Sequence, residues 1–435
     1  MKNFAPALPC WSAALLLAAA PAMLTAAPVV TAPGLDWPTY RGPNGDGVTK
    51  ASLGRLWDRK GPKQVWKVEV TKGFSSLAVS AGLASTLVTR EFEGSATEHC
   101  VGLDAATGKE LWAVPLKLAK YQGGGDSGTG DNKGGDGLRS TPSLSDGKVF
   151  VYGSNLDLYC LDAKSGKVLW SKDVAGDYQG KNISWSNATS PLLEGDLVIV
   201  GGGGKDAAFL AFDKSTGALK WQAGTDTITH ATPTAATLLG ERQIIFFMKS
   251  GLTAVSPKDG KILWQQEYKF NVSTAASPVV YEDIVYCSAG YGVGSAAFEV
   301  KKSGPKYETT ELWRVEGDGL NNHWSTPVAY QGHLYGMFSF KKYGEGPVKC
   351  VDIRTGKELW SKSGFGPGNL ILAKDRLLAL SDKGELVVIK PTPDAYQELA
   401  RADVLDGKCW STPTLAGGFI FARSTTEAAC FVAVP

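Results

Sequence analysis

Arginine, histidine and tryptophan recur in this chain at one kind of position, three residues ahead of a proline. Arg139, His230, Trp324 and Trp410 precede Pro142, Pro233, Pro327 and Pro413 in this way, and Trp185, Asn322 and His323 lie close by in sequence. Indoles offer flat apolar faces, while guanidinium, imidazole and amide groups offer hydrogen bonds. Around a concave mouth such a set could hold a sugar, a peptide or a quinone-like ring. The same residues could instead fill the mouth and satisfy its loop amides. His230 and His323 lack the spacing of a zinc motif. Residues 122–137 are rich in Gly and Asp without the regular acidic spacing and closing Glu of a calcium loop, and read as a loop between repeats. No Ser/His/Asp order, phosphate loop or paired-carboxylate motif proposes hydrolysis or phosphoryl transfer. The seven residues are therefore expected to bind, with no catalytic or metal-ligating residue among them.

What must position them is a repeat. The phrase Leu103-Asp104-Ala105-Ala106-Thr107-Gly108-Lys109-Glu110-Leu111-Trp112 returns around Asp162, Asp213, Ser256 and Asp352, each time ending on a Trp: Trp170, Trp221, Trp264 and Trp360. Each copy reads as a β-hairpin. The Asp carboxylate accepts from amides two and three residues on, the Gly takes the left-handed turn position, and the Trp packs on the neighbouring unit. Upstream of the phrases a hydroxyl residue precedes Pro, as in Thr141-Pro142, Ser190-Pro191, Thr232-Pro233, Ser277-Pro278, Thr326-Pro327 and Thr412-Pro413. Pro is tolerated at the first residue of a strand, so each unit has four strands, A to D, with the Pro opening A and the Trp in D. A period of roughly 40 to 58 residues built from short strands means a propeller.

Two positions before the Asp lies a slot for small residues, filled by Gly102, Cys160, Ala211, Ala254 and Cys350, and in worn copies by Ala297, Val388 and Ala433. That counts eight C strands, or seven if the unit at 389–404, which has no Trp, is not a blade. Residues 431–435 align with 209–213, and residues 64–70, with Trp66 and no hairpin before it, are expected to supply the last D strand and close the ring. Closure removes the sheet edges that would otherwise aggregate. The expected architecture is all-β: an eight-bladed propeller of four-stranded antiparallel blades over residues 64–435.

The 435 residues carry a net charge of +2, which argues for neither nucleic acid nor an anionic membrane surface. Residues 1–26 read as a secretory signal, with Lys2 ahead of an apolar run too short to span a bilayer. Cys10 is badly placed for a lipid-modified terminus. The expectation is an exported chain, periplasmic or secreted, with no membrane span. Export permits disulfides, but Cys160 and Cys350 occupy one slot four blades apart and read as small core residues. Cys409 and Cys430, in one blade, are the pair left open.

The repeat Asp-x-x-(Thr/Ser)-Gly-Lys-x-Leu-Trp resembles the tryptophan-docking motif of the pyrroloquinoline quinone (PQQ) repeat family, over about residues 37 to 435. Trp37-Pro38-Thr39-Tyr40-Arg41-Gly42-Pro43-Asn44-Gly45-Asp46-Gly47 is similar to the leader of many secreted members, and residues 27–63 are set apart as that leader, a loop latched on the ring. The family includes quinoprotein dehydrogenases and the non-catalytic propeller of the outer-membrane β-barrel assembly machine. The resemblance to the enzymes implies PQQ over the ring axis, stacked on a Trp beneath a disulfide of adjacent cysteines, with calcium beside it. This chain has no adjacent Cys pair and lacks the length of those enzymes. The expected function is a non-catalytic envelope scaffold for a protein partner or small ligand, without cofactor. A quinoprotein oxidoreductase with a reduced site, using PQQ and calcium, is the alternative.

Overall fold

The turn chemistry written in the repeat is what the backbone does. In the computed structural model, which describes residues 1–2, 36–58, 60–121, 137–338 and 342–433, Asp104 Oδ1 accepts from the amides of Ala106 and Thr107 at 3.1 and 2.8 Å. Gly108, Gly166, Gly217, Gly260 and Gly356 all take φ between 69° and 73°. The same hairpin therefore forms each time. The signal segment, and nearly all of the Gly/Asp-rich stretch, lie outside the described residues.

Eight four-stranded antiparallel blades form the ring among the described residues. Blade 1 runs Ala78–Ser80, Leu83–Phe92, Ser95–Asp104 and Glu110–Leu118. The later A strands are Ser143–Ser145, Leu192–Glu194, Thr234–Leu238, Val279–Tyr281, Val328–Tyr330, Asn369–Ala373 and Thr414–Ala416. All but Asn369–Ala373 begin just after the Pro position, as expected. Gln64–Glu69 pairs with Glu427–Val432, so the N-terminal strand closes blade 8 and removes the sheet edge. The 389–404 unit does form a blade, with Ala400 opposite Val388 where other blades have Trp.

The small-residue slot has a steric cause. Gly102, Cys160, Ala211, Ala254, Ala297 and Cys350 each face a D-strand Trp directly across the ladder. In blade 8 the residue facing Trp66 is Cys430, not Ala433. The expected register was three residues out because the apolar run from 428 to 434 carries no Asp or Gly punctuation, and the bulge at Trp66 sets the pairing instead. Cys160 and Cys350 are buried core residues, and Cys409 and Cys430 are buried and unbridged.

Each docked Trp covers the turn of the next blade. The Trp66 indole lies where a Cβ on Gly108 would be, 2.7 Å from its Cδ2, and its Nε1 donates to Ala105 O at 2.9 Å. Trp112, Trp170, Trp221 and Trp313 repeat the contact on Gly166, Gly217, Gly260 and Gly356. Trp264 breaks the pattern. Blade 5 replaces the tight turn with a long hairpin, Gly294–Ser303 and Lys306–Val315, and Trp264 Nε1 turns inward to Gln243 Oε1 at 2.8 Å.

Around the axis, the hydroxyl before four of the Pro residues, and Ser76 at the equivalent place in blade 1, link one blade to the next. Thr141 Oγ1 accepts from Ser76 N, Ser190 Oγ from Thr141 N, Thr232 Oγ1 from Ser190 N, Thr326 Oγ1 from Ser277 N, and Ser76 Oγ from Thr412 N, all at 2.8–3.0 Å. Buried amides need such partners. This is why a hydroxyl stands there.

Candidate functional site

Because A strands line the axis, anything that crosses them fills the channel. The chain from Trp37 to Thr49 does so. Trp37 pairs with Val79 of blade 1, and Pro38 O accepts from Leu144 N of blade 2. Val48–Thr49 then adds in parallel to Asn369–Ala373 of blade 7. Between these points Arg41, 1% exposed and at φ 62°, donates to Thr326 O at 2.6 Å and, through Nη2, to Pro327 O and Asp46 O at 2.8 Å. Burial pushes its pKa down. The segment is more than a latch on the outside; it plugs the axis, and Arg41 is committed to backbone carbonyls.

The opposite mouth carries the aromatic residues. Trp410 stacks on Phe74 at 4.8 Å and 17°, and on Trp324 at 4.8 Å and 26°. Tyr343 lies parallel to it at 5.6 Å, and the Lys408 ammonium is 5.0 Å from its ring centre. His323 meets Trp324 edge-on at 5.3 Å and Tyr291 at 5.2 Å. Asn322 is fully buried in the wall behind, accepting from Tyr286 Oη and donating to Met337 O at 2.9 Å. Three of the seven residues, His323, Trp324 and Trp410, thus form one stack, and Asn322 supports it.

Trp185, His230 and Arg139 form a second group. Arg139 Nη1 donates to Trp185 O at 2.9 Å. The Ser184 carbonyl can only accept, so His230 Nε2, 3.1 Å away, carries the proton and Nδ1 accepts from Ser273 Oγ at 2.6 Å. Burial, with the Arg139 charge second, holds His230 down to about 4, so it is neutral at pH 7. Trp185 borders a cleft of about 500 Å³ that reaches Lys249 and Phe270. His230 and His323 meet different neighbours and do not share a site.

Sequence reasoning missed Phe74, Tyr343, Lys249 and Ser273, which sit on connections and B–C turns outside the repeat. It also missed Arg423, 1% exposed, which clamps the seam by donating to Leu87 O, Gly73 O and Thr71 O at 2.9–3.1 Å. A buried Arg in an otherwise apolar strand is a signal that Phe419–Arg423 does carry.

The fit of a quinone can be judged from the stack. A planar ring over the axis needs an open indole face, and those of Trp410 are covered by Phe74 and Trp324. The cysteines among the described residues are buried and unbridged. These residues do not fit PQQ.

A closed ring of eight blades, docked Trp on Gly, defines a β-propeller of the PQQ-like repeat class. The chain belongs to the family described as outer membrane protein assembly factor BamB, which matches residues 96–326, just over half its length. BamB of Yersinia pestis is 20% identical over 351 residues, covering 79% of this chain and 72% of that protein. The crystal structure of BamB from Moraxella catarrhalis superimposes with a TM-score of 0.59 at 15% identity, over 85% of this chain and 99% of that one. Quinohemoprotein alcohol dehydrogenase from Comamonas testosteroni shares the fold equally, with a TM-score of 0.62 at 13% identity over 93% and 82%. Among the described residues no helix is long and apolar enough to cross a membrane.

Proposed function

We propose that the protein is an exported, non-catalytic scaffold of the cell envelope that binds another envelope protein through its propeller. The family match over residues 96–326 carries this reading. In it, residues 1–26 direct export, residues 64–435 form the binding ring, and the leader makes the ring rigid. The channel-mouth residues Arg139, Trp185, His230, Asn322, His323, Trp324 and Trp410 belong to the face that carries the D–A connections, and that face is offered to the partner. The stacked mouth supports this reading against the quinoprotein alternative, since Phe74 and Trp324 cover the Trp410 indole. Two measurements test it. Purified protein mixed with PQQ and calcium should show no saturable change in cofactor absorbance and no dye reduction with alcohols or sugars; turnover would replace the scaffold with an enzyme. Cross-linking in intact cells should trap a defined envelope protein, and substitutions on the D–A face should abolish the adduct while those on the opposite face leave it.

A further inference from the structure

Behind the stacked mouth lies a concavity that the ring closure does not explain. The cleft of about 500 Å³ is walled by Ile183, Trp185, Ile228, Phe270 and Val272, drawn from connections after blades 2, 3 and 4. Val272 is 42% exposed. The lining is mixed, with Thr227, Thr229, Asn271 and Ser273 beside these apolar groups, so a hollow of this size, open to solvent, suits a small ring that carries a polar group.

Its polar end is cationic. Lys249 stands in the B–C turn of blade 4, and Nζ donates to Phe270 O and Asn271 O at 2.8 and 2.9 Å while lying 4.5 Å from the Phe270 ring centre. An ammonium has three hydrogens, so one remains for a ligand. Among the described residues it has no carboxylate within ion-pairing distance, as Lys67, Lys214, Lys302 and Lys349 do. Ser273, 5% exposed, is turned to His230, and that imidazole is neutral, so neither compensates the charge.

The backbone holds this wall at a cost. Ser186 N donates to Ile183 O at 2.9 Å, closing a turn in which Trp185 and then Ser186 have φ of 67° and 58°. A left-handed Trp followed by a left-handed Ser is strained, and such strain concentrates at binding sites. Most other left-handed non-glycines here sit in hairpin turns, where the geometry demands them.

We infer that this cleft binds a small aromatic carboxylate, its ring against Trp185 and its anionic head on the Lys249 ammonium. The inference is independent of the scaffold reading, because it concerns the purified chain alone.

Calorimetry and Trp fluorescence with phenylacetate, phenylacetamide and acetate test it. Phenylacetate should saturate. Phenylacetamide, with the same ring and no charge, and acetate, with the charge and no ring, should each bind at least about tenfold more weakly. K249Q should lose about tenfold for phenylacetate and nothing for phenylacetamide, while K249R keeps most of the affinity. Should K249Q not fold, the three-probe comparison on the unaltered protein still decides. No saturable binding of phenylacetate, equal binding of its amide, or an unaltered affinity in folded K249Q overturns the proposal.

Discussion

Arg41 Nη1 lies 2.6 Å from the carbonyl of Thr326, tying the leader to a blade 285 residues further along the chain. With Pro327 O and Asp46 O also held, one guanidinium joins the leader's own turn to the wall of blade 6. Arg41→Ala leaves buried carbonyls without donors and should destabilise the ring by about 3 kcal/mol or more. Arg41→Lys, a point charge without the planar fork, should recover only part of this. Urea unfolding measures both, and an alanine variant as stable as the parent would mean that the plug contributes nothing.

Gly217 and Gly147 separate turn strain from Trp docking. Both take φ near 70°, but a Cβ on Gly217 would lie 2.7 Å from the Trp170 ring, whereas one on Gly147 meets nothing within 4 Å. Gly147→Ala should cost about 1 kcal/mol from the left-handed conformation alone. Gly217→Ala adds overpacking against the indole and should cost about 1–3 kcal/mol more. Equal losses in thermal unfolding would show that the indole yields freely.

Glu98 and His230 give opposing pH dependences. Burial raises Glu98 to about 7 from 4.5, so between those values the folded state holds a proton the unfolded state has released, and stability falls as pH rises. His230 is lowered to about 4 from 6.5, so in that interval the unfolded state takes the extra proton, and stability falls as pH drops. Each amounts to about 3 kcal/mol over its window and the two windows overlap, so the parent should be nearly flat from pH 4.5 to 6.5. Glu98→Gln should unmask a rise in stability with pH, and His230→Gln a fall. Parallel profiles for parent and both variants would mean that neither group is buried as described.

Cys409 and Cys430 share blade 8 and are both unbridged and buried. Burial pushes the Cys409 thiol up to about 12, so neither its accessibility nor its acidity favours reaction. Both should resist alkylation in the folded protein and take one group each in denaturant without reductant. A mass deficit of two groups after denaturation would reveal a bridge.

The repeat was legible because its residues act over short distances. Asp104, Gly108 and Trp112 lie within one hairpin, and the hydroxyl before Pro142 needs only an adjacent blade. The Cys430 register was not legible, since an apolar run reads the same at any offset. The sequence named the seven candidate residues as one set, and their division into two groups was hidden. Trp324 and Trp410 meet across the space between blades 6 and 8, while Trp185 turns away through two left-handed residues that no spacing announces.

From sequence alone followed the number of blades, the packing of each repeat Trp on the neighbouring unit and the strand that closes the ring, because each rests on a motif repeated at a fixed period. The tertiary structure alone decided that the leader fills the axis, that the mouth indoles cover one another, and that the open cleft lies beside Lys249. Those outcomes depend on side chains meeting across the channel from segments far apart in the chain, where packing and the pairing of buried polar groups, not spacing, select the neighbours.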